Sequence, residues 1–575
     1  MLKHLLLFGV MWMFSGATLS AQKNITGQLV DAATTNPLPY VTIVNPATGR
    51  GALTNDEGRF QLRLPTGTDS LAVSFIGYRT RRIRADHFTR YDTLRLTPTS
   101  YELTKATVFA DDDILYEIVA KAGKRLKRGE DHKAKTYFQI VTNTGKGQPL
   151  EMIQAYYNAT TNRRGLVDLK LKGGRIALAP LDELYFANLS IAQAIGMLDL
   201  GLDAGIFPGN PLQNGYRDLK RKFRLTRQAD FSNETLLHLG FEPTNDNGKF
   251  FAGELWIDRE TYLVHRIILR KDDVKQHPFV PEWKAKDIER IDLDLDFNYK
   301  PYDDAARLSH VNINYGSLLS HSMDSVGAGK QELKLKGILH CFNYRTKFFE
   351  PLFDYAPNHN DYRKISFLPY NSVLWETGQG LVLTTEQEAQ EAYFYTDGER
   401  INFDDESSDG ISLLQKRNYR WSAKQRYNWT DPEQLPSPGL TAIRGLTARP
   451  YPVIRLFLDV NPLGDSLTFI SHTVLDVYRS AINMPKGSKT DCVLNVLLDL
   501  CEIKRREMMV AVRASGRSPA EITKIHARAE QDIVNLQRTY FNRLGPDLDY
   551  RVLSEYVERV NREMGIRNLQ LFFDQ

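Results

Sequence analysis

The sequence predicts a multi-domain protein that is mainly β with some α structure: an N-terminal β-sandwich, a large antiparallel sheet and C-terminal helices. Three observations lead to this fold class. Aromatic residues make up 11% of the chain and suit half-buried strands. Stretches that alternate apolar and polar residues recur from residue 24 to about residue 340, separated by turn-forming residues. After residue 483 the apolar spacing becomes helical.

The chain is long enough for about three or four domains, since it has 575 residues. Changes in pattern along the sequence predict the limits of its segments. We expect a signal peptide (1–21), a β-sandwich (22–109), an α+β domain with the large antiparallel sheet (110–400), loops with a β-hairpin (401–482) and a helical region (483–575).

The first 21 residues indicate an exported protein. Lys3 and His4 form a short basic region, residues 5–14 are apolar, and Ala21 is a suitable cleavage position. An uncleaved membrane anchor is the alternative, although this apolar run is short for a bilayer-spanning helix. No later apolar run approaches about 18 residues, so we expect no transmembrane helix after cleavage. The net charge of +4 does not indicate nucleic-acid binding.

The stretch TNDEGRF, residues 54–60, could be a cation-binding loop, a catalytic acid pair or the corner of a β-hairpin. Gly58 supplies the positive φ that a tight turn needs, and the side chains of Asn55 and Asp56 can bond to the backbone. The ligand spacing of a calcium loop is absent. We therefore predict a turn.

The first strands and their turns resemble the carboxypeptidase-regulatory-like domain. The matching positions are Gly27, residues 37–41 (PLPYV), Gly51, residues 54–55 (TN), 58–60 (GRF), 64–65 (LP), Leu71 and 76–78 (IGY). The resemblance implies a small transthyretin-like β-sandwich, which occurs at the N-terminus of exported envelope proteins and TonB-dependent receptors of Gram-negative bacteria. It does not imply a peptidase, because the His and Glu spacing of a zinc carboxypeptidase is missing.

The middle of the chain begins with a predicted amphipathic helix and continues in strands. The apolar stripe of the helix consists of Ile114, Ile118, Val119 and Ala122. Further along, three acidic residues recur at every second position and share one strand face, which we predict to be solvated rather than metal-binding: Asp292, Asp294 and Asp296.

Residues 241–269 resemble the β-sheet of LolA-type envelope proteins. That resemblance implies a curved antiparallel sheet, closed by helices around an apolar cavity that holds lipid. The concave face would then be the binding surface. The apolar, glycine-rich segment 186–212 would be either a lid over this cavity or a packed crossover helix.

The C-terminal region predicts three helices, and the first of them carries a polar stripe in an otherwise apolar segment. The stripe consists of residues spaced four, three and four apart, which share one helix face: Asn495, Asp499, Glu502 and Arg506. It is a candidate site, because buried polar groups need partners. The alternative is the solvated face of an amphipathic helix.

We find no sequence signature of an enzyme and predict no cofactor or metal site. The leading hypothesis is a non-catalytic protein of the Gram-negative cell envelope, in the periplasm or at the periphery of the outer membrane. It would bind an apolar ligand such as lipid, or an envelope protein, with the sandwich as a docking or spacer module. The alternative is an exported hydrolase that acts on glycan or peptide through dispersed carboxylates.

Overall fold

The computed structural model describes the chain in two compact units. Unit 1 comprises Met1–Tyr101 and Gln379–Thr384, and unit 2 comprises Glu102–Gly378 and Thr385–Gln575. The predicted signal peptide lies outside the described residues. These residues are 23–64, 70–87, 91–99, 113–181, 186–188, 191–228, 235–245, 248–279, 281–282, 287–302, 305–323, 327–355, 359–378, 380–404, 418–428, 452–463, 466–481, 484–516 and 518–573.

Unit 1 is a β-sandwich, as predicted, with one sheet of order β4-β1-β7 and another of order β3-β2-β5-β6. Its strands are β1 (Lys23–Asp31), β2 (Thr42–Val44), β3 (Gly51–Leu53), β4 (Arg59–Leu64), β5 (Ser70–Ser74), β6 (Arg81–Arg84) and β7 (Tyr91–Leu96). Inward-facing apolar side chains of both sheets form its core, among them Ile25, Leu29, Ile43, Phe60 and Val73.

The largest element of unit 2 is an 11-stranded antiparallel sheet, which confirms the predicted large antiparallel sheet. Its order is β12-β13-β14-β15-β17-β18-β19-β8-β9-β10-β20. The strands are β8 (His132–Thr144), β9 (Pro149–Asn162), β10 (Gly165–Leu178), β12 (Phe223–Arg227), β13 (Leu236–Pro243), β14 (Ala252–Asp258), β15 (Val264–Lys271), β17 (Asp287–Tyr302), β18 (Ala305–Met323), β19 (Gly327–Asn343) and β20 (Glu399–Ile401). A separate two-stranded sheet pairs β11 (Ala187–Asn188) with β16 (Pro281–Glu282).

One face of this sheet carries the main core of unit 2, and short helices pack against it. They are α1 (Asp113–Leu126), α2 (Ile191–Gly196), α3 (Tyr216–Lys222) and α4 (Asp361–Phe367). Two further helices, α5 (Ser372–Thr377) and α6 (Thr385–Asp397), contact the opposite face through Trp375 and Phe394. Three of the four residues predicted for the stripe of α1 are buried, but Ile114 is exposed. In the segment 186–212, Ala192, Leu198 and Phe207 lie in the core. The segment is therefore packed, as in the alternative of a crossover, and does not form a lid.

The opposite face of the sheet is only partly solvated, which corrects the prediction for the acidic strand β17. Asp292 and Asp294 are half-buried, but Asp296 is buried. The Arg266 guanidinium donates to both carboxylate oxygens of Asp296 at 2.8 Å, and Asn298 donates to Oδ1 at 2.8 Å. These partners from β15 and β17 replace the water that the strand pattern predicts.

The C-terminal part of unit 2 combines a three-stranded sheet, of order β21-β23-β22, with helices. Its elements are β21 (Tyr419–Arg420), β22 (Ile454–Leu463), β23 (Ser466–Leu475), α7 (Ser488–Ala514), α8 (Pro519–Leu544), α9 (Tyr550–Met564) and α10 (Asn568–Phe573). Ser518 caps α8, and Gly545 and Gly565 follow the ends of α8 and α9 with positive φ. Within the described residues, no helix is both long and apolar enough to cross a membrane.

Candidate functional site

The polar stripe on α7 lies inside the protein and not on a solvated helix face. Asn495 and Asp499 are fully buried and Glu502 is 1% exposed, whereas the side chain of Arg506 is 51% exposed. The alternative of a solvated face is therefore wrong for the first three residues. Because buried polar groups are costly without partners, the contacts of these side chains decide what the stripe does.

Asp499 is the centre of the stripe and accepts hydrogen bonds on both carboxylate oxygens. The guanidinium of Arg426 donates to Oδ1 and Oδ2, each at 2.8 Å. Trp421 Nε1 donates to Oδ1 and Asn568 Nδ2 to Oδ2, both at 2.7 Å. This carboxylate thus joins α7 to the loop after β21 and to the start of α10.

Asn495 and Glu502 make comparable connections one turn away on either side. Asn495 exchanges two hydrogen bonds with the backbone of Tyr427, at 3.0 and 2.8 Å. Thr473 of β23 donates to Glu502 at 3.0 Å, and Arg505 binds both of its oxygens at 2.7 Å. Burial alone would raise the pKa of Glu502, but the Arg505 and Arg506 guanidiniums hold it below its usual range.

The structure therefore brings the four predicted residues together with partners that the sequence did not indicate. Trp421, Arg426 and Asn568 lie outside regular apolar patterns, and no local spacing marks them as partners of α7. These contacts connect three parts of the C-terminal region to α7: the loop after β21, strand β23 and the start of α10. A ligand-binding role of the stripe stays a prediction.

A second cluster of buried polar groups surrounds Glu151 on β9. The Glu151 carboxylate accepts hydrogen bonds from Thr142 Oγ1 at 2.6 Å and from the backbone N and Nδ2 of Asn188 at 2.7 and 2.6 Å. The Tyr362 hydroxyl of α4 also donates to it. Burial raises the pKa of Glu151 to about 7, and the donors of Asn188 and Thr142 oppose that shift.

Asp361, which precedes Tyr362 in the chain, is a second buried carboxyl group with partners of its own. Gln193 Nε2 donates to Asp361 Oδ1 at 3.2 Å. Burial raises the pKa of Asp361 to about 6, although Lys364, the Tyr157 hydroxyl and Gln193 each lower it. The cluster can hold protons near neutral pH. Neither carboxyl group was predicted from the sequence. The available signal was an acidic residue, Glu151, in phase with the core-facing Ile153, Ala155 and Tyr157 on one strand face.

We expect the stability of unit 2 to depend on the protonation of Glu151. Its folded-state pKa of about 7 exceeds the ordinary value of 4.5. The contribution of Glu151 to the free energy of unfolding is therefore fully present below about pH 4.5 and is lost as the pH rises through about 7. The loss amounts to about 3 kcal/mol. Glu151→Gln should remove this part of the pH dependence, because glutamine does not ionise. Urea denaturation between pH 4.5 and 8 measures it.

The matched control for this experiment is Glu117→Gln on the exposed face of α1, which should leave the pH dependence unchanged. If Glu151→Gln and the wild-type protein lose the same stability between pH 4.5 and 8, Glu151 does not titrate in this range and the prediction is wrong.

A buried ion pair connects the large sheet to the three-stranded sheet. The ammonium group of Lys172 on β10 contacts Asp459 Oδ1 on β22 and donates to the carbonyl oxygens of Phe349 and Val460 at 2.9 and 3.1 Å. Asn371 Nδ2 donates to Asp459 Oδ2 at 2.8 Å. Burial lowers the pKa of Lys172 and raises that of Asp459, while their mutual attraction opposes both shifts.

In the described ranges, no group of three or more His, Cys, Asp or Glu side chains is placed to hold a metal ion.

In unit 1, the stretch TNDEGRF forms a turn, as predicted. Asn55 Oδ1 accepts hydrogen bonds from the backbone N–H groups of Glu57 at 3.0 Å and Arg59 at 2.8 Å. Gly58 adopts a φ of +71°, and a Cβ atom there would lie 2.4 Å from the carbonyl oxygen of Leu29. Only glycine fits this position, because both the φ and the close approach exclude a side chain.

The same turn contacts a distant stretch of chain that belongs to unit 1. Asn55 Nδ2 donates to the carbonyl oxygens of Val382 and Leu383, both at 3.2 Å. A guanidinium nitrogen of Arg59 donates to the Leu383 carbonyl oxygen at 2.8 Å. The turn is therefore a place where unit 1 holds the backbone of a segment without helix or strand, and the acidic side chains of Asp56 and Glu57 do not make these contacts.

Comparison with protein families agrees with the sandwich topology of unit 1. A family model described as the CarboxypepD_reg-like domain matches residues 25–108. These residues form a carboxypeptidase-regulatory-like domain. The resemblance predicted from the positions between Gly27 and Tyr78 is thereby confirmed, and the Asn55 turn belongs to this regulatory-like domain.

No curated protein sequence matches the chain. Among solved structures, a DUF1329 family protein from Desulfovibrio piger is 12% identical, with 40% of this chain and 94% of that chain covered and a TM-score of 0.17. A protein of unknown function from Bacteroides fragilis is 10% identical, with coverages of 56% and 99% and a TM-score of 0.11. The MucA/MucB complex of Pseudomonas aeruginosa gives 10% identity, coverages of 40% and 93% and a TM-score of 0.14. TM-scores this low do not establish a shared fold.

Proposed function

We propose that this is an exported, non-catalytic protein of the Gram-negative cell envelope that acts by binding a protein partner. The regulatory-like domain would serve as the docking module, in the periplasm or at the periphery of the outer membrane. The observation that carries the proposal is the Asn55 turn of this domain, whose side-chain donors already hold a stretch of polypeptide that forms neither helix nor strand. The basic and apolar pattern of residues 1–21 supports export.

The packing of the large sheet favours a protein partner over an apolar ligand. The core face of the sheet is occupied by the protein's own side chains, such as Leu239, Ile267 and Leu295, which have no exposed surface. A cavity beneath α1, beside Leu126 and Tyr299, has a volume of about 10 Å³, room for about one water molecule. This cavity is far smaller than the roughly 300 Å³ or more of a small-molecule binding site.

Native mass spectrometry of the protein, purified gently from its own cell envelope, tests this proposal. We expect a complex whose excess mass corresponds to a second polypeptide. A bound mass of lipid size without a protein partner would contradict the proposal and favour the apolar ligand. A bare monomer would also count against it. Removal of the partner by brief high-salt washing provides the matched unbound sample.

The Glu151 cluster is the observation that favours an exported hydrolase as the second candidate function. Glu151 and Asp361 both have raised pKa values, and the Tyr362 hydroxyl donates to Glu151. A carboxylic acid with a pKa near neutrality is suited to general acid catalysis. Both groups are buried, so this candidate also requires an opening that admits substrate. Hydrolysis of cell-wall glycan or peptide by the wild type, absent in Glu151→Gln, would favour it over partner binding.

A further inference from the structure

The Asn55 turn has the features of a ligand site and not only those of a hairpin corner. We infer that it is a binding site for an extended polypeptide segment, recognised through two consecutive main-chain carbonyl groups. Residues 382–383 of the same chain fill it in this structure, and a segment of a partner protein can take their place. The inference deepens the proposed function, and it rests on that function because it takes the partner to be a protein.

The donors of the site are held in place before any segment binds. Asn55 uses Oδ1 to accept the N–H groups of Glu57 and Arg59, which fixes the amide plane and directs Nδ2 away from the turn. Glu57 forms an ion pair with the Arg59 guanidinium at 2.7 Å and accepts a hydrogen bond from Gln28 on its carbonyl oxygen at 2.9 Å. Because these groups are already oriented, binding a segment costs little conformational entropy in the site.

The site recognises backbone and not side chains. All three hydrogen bonds to the segment end on main-chain oxygens: two from Asn55 Nδ2 and one from Arg59. Main-chain recognition tolerates different side chains, as in other modes of extended-peptide binding. The chemical class of the ligand is therefore an extended segment that offers two adjacent carbonyl groups free of secondary-structure hydrogen bonds.

The resident segment is suited to exchange. Residues 380–384 form neither helix nor strand and lie between the end of α5 at Thr377 and the start of α6 at Thr385. The side chains of Val382 and Leu383 are only half-buried. Covalent attachment gives this segment a high effective concentration, so a partner must offer either tighter contacts or a second attachment point.

Photo-crosslinking to the full-length protein tests the site with a defined probe. The probe is a synthetic peptide with the sequence of residues 379–386 that carries a benzophenone at its N-terminus. The decisive variant is Asn55→Asp, which keeps the Oδ1 acceptor that builds the turn but replaces the Nδ2 donor with an oxygen that repels carbonyl groups. Arg59→Met is the second variant, because it removes the other donor while it retains the apolar stem of the side chain.

We expect labelling at residues 54–60 in the wild type and a decrease of about tenfold or more in Asn55→Asp, because both hydrogen bonds from Asn55 Nδ2 are lost. The matched control is Asn36→Asp, an equivalent change at an exposed position of the same domain, which should label like the wild type. In Asn55→Asp, chymotrypsin should also cleave the released segment at Leu381 and Leu383 about tenfold faster or more.

Equal labelling of Asn55→Asp and wild type, or labelling outside the turn, would overturn the inference. The assay needs no native partner, so its result is independent of the mass-spectrometric test. Labelling at the turn together with a bare monomer from the envelope would leave the site standing and reject the proposed function. A native partner that binds Asn55→Asp and the wild type equally would support the proposed function and reject the Asn55 turn as the binding site.

Discussion

Replacement of Lys172 by methionine should lower the free energy of unfolding of unit 2 by about 3–5 kcal/mol. The substitution leaves the carboxyl group of Asp459 inside the protein without its cation, and it also removes a donor from the carbonyl oxygens of Phe349 and Val460. Such a loss exceeds the favourable contribution of the intact pair, because an uncompensated buried charge is more costly than a neutral contact.

Urea denaturation followed by tryptophan fluorescence measures this effect. Apart from Trp12 in the predicted signal peptide, every tryptophan of the chain lies in unit 2, so the signal reports on that unit. Lys170→Met is the matched control on the same strand, since the Lys170 side chain is 58% exposed. It should change the stability by less than about 1 kcal/mol.

A double variant separates the charge from the packing. Lys172→Met combined with Asp459→Asn places two neutral groups in the interior, and the amide oxygen can still accept from Asn371 and Asn461. We expect it to be more stable than Lys172→Met alone. If the free energy of unfolding of Lys172→Met is within about 1 kcal/mol of the wild-type value, other groups already compensate the buried charge of Asp459 and the prediction is wrong.

Removal of the Asp499 carboxylate should have an effect of similar size, about 3–5 kcal/mol in Asp499→Ala. The guanidinium of Arg426, whose side chain is 10% exposed, would keep its charge in the interior without a counter-ion. Trp421 and Asn568 would lose their acceptor at the same time. Asp499→Asn retains one acceptor oxygen and should fall between the wild type and the alanine variant.

The same fluorescence assay applies, and Trp421 lies directly at the altered site. Glu507→Ala is the matched control, because it removes an acidic residue from the same helix. Glu507 pairs with Lys504, and its side chain is 54% exposed. We expect a change below about 0.5 kcal/mol for this control. Equal stability of Asp499→Ala and Glu507→Ala would reject the structural role of the α7 stripe.

The architecture of this protein follows from its sequence to the extent that local periodicity determines it. Alternation along β17 correctly predicts that Ile291, Leu293 and Leu295 face the core, because successive side chains of a strand point to opposite faces. The spacing on α7 correctly places Asn495, Asp499 and Glu502 on one face. The caps of α8 were predictable from Ser518 and Gly545 for the same reason, since each acts within one turn.

Burial of polar groups did not follow from the pattern, because its cause lies far along the chain. Asp296 is buried since Arg266 on a neighbouring strand neutralises it. Asp499 is buried since Arg426 and Asn568 reach it from segments 73 and 69 residues away. A polar stripe looks the same in sequence whether water or a distant side chain satisfies it, so local reasoning could not choose between the two alternatives.

The order of the large sheet has a consequence for how the chain reaches its native state. Most neighbouring strands are joined by hairpins, but β19 pairs with β8, where Leu333 faces Thr144 and Asn343 faces Lys135. These partners are roughly 200 residues apart, and non-local contacts of this kind slow folding because a long loop must close first. The meander β8–β10 and the meander β12–β19 can each form early from local contacts.

Until β8 and β19 pair with each other, both are edge strands with unpaired backbone groups. Open edges of this length, 13 residues in β8 and 17 in β19, are templates for pairing with other chains. If the chain is exported unfolded, β8 emerges well before β19 and stays unpaired along that edge in the meantime. We therefore expect the newly translocated protein to depend on a holdase chaperone. We also expect aggregation during refolding to begin at the unpaired edges of β8 and β19.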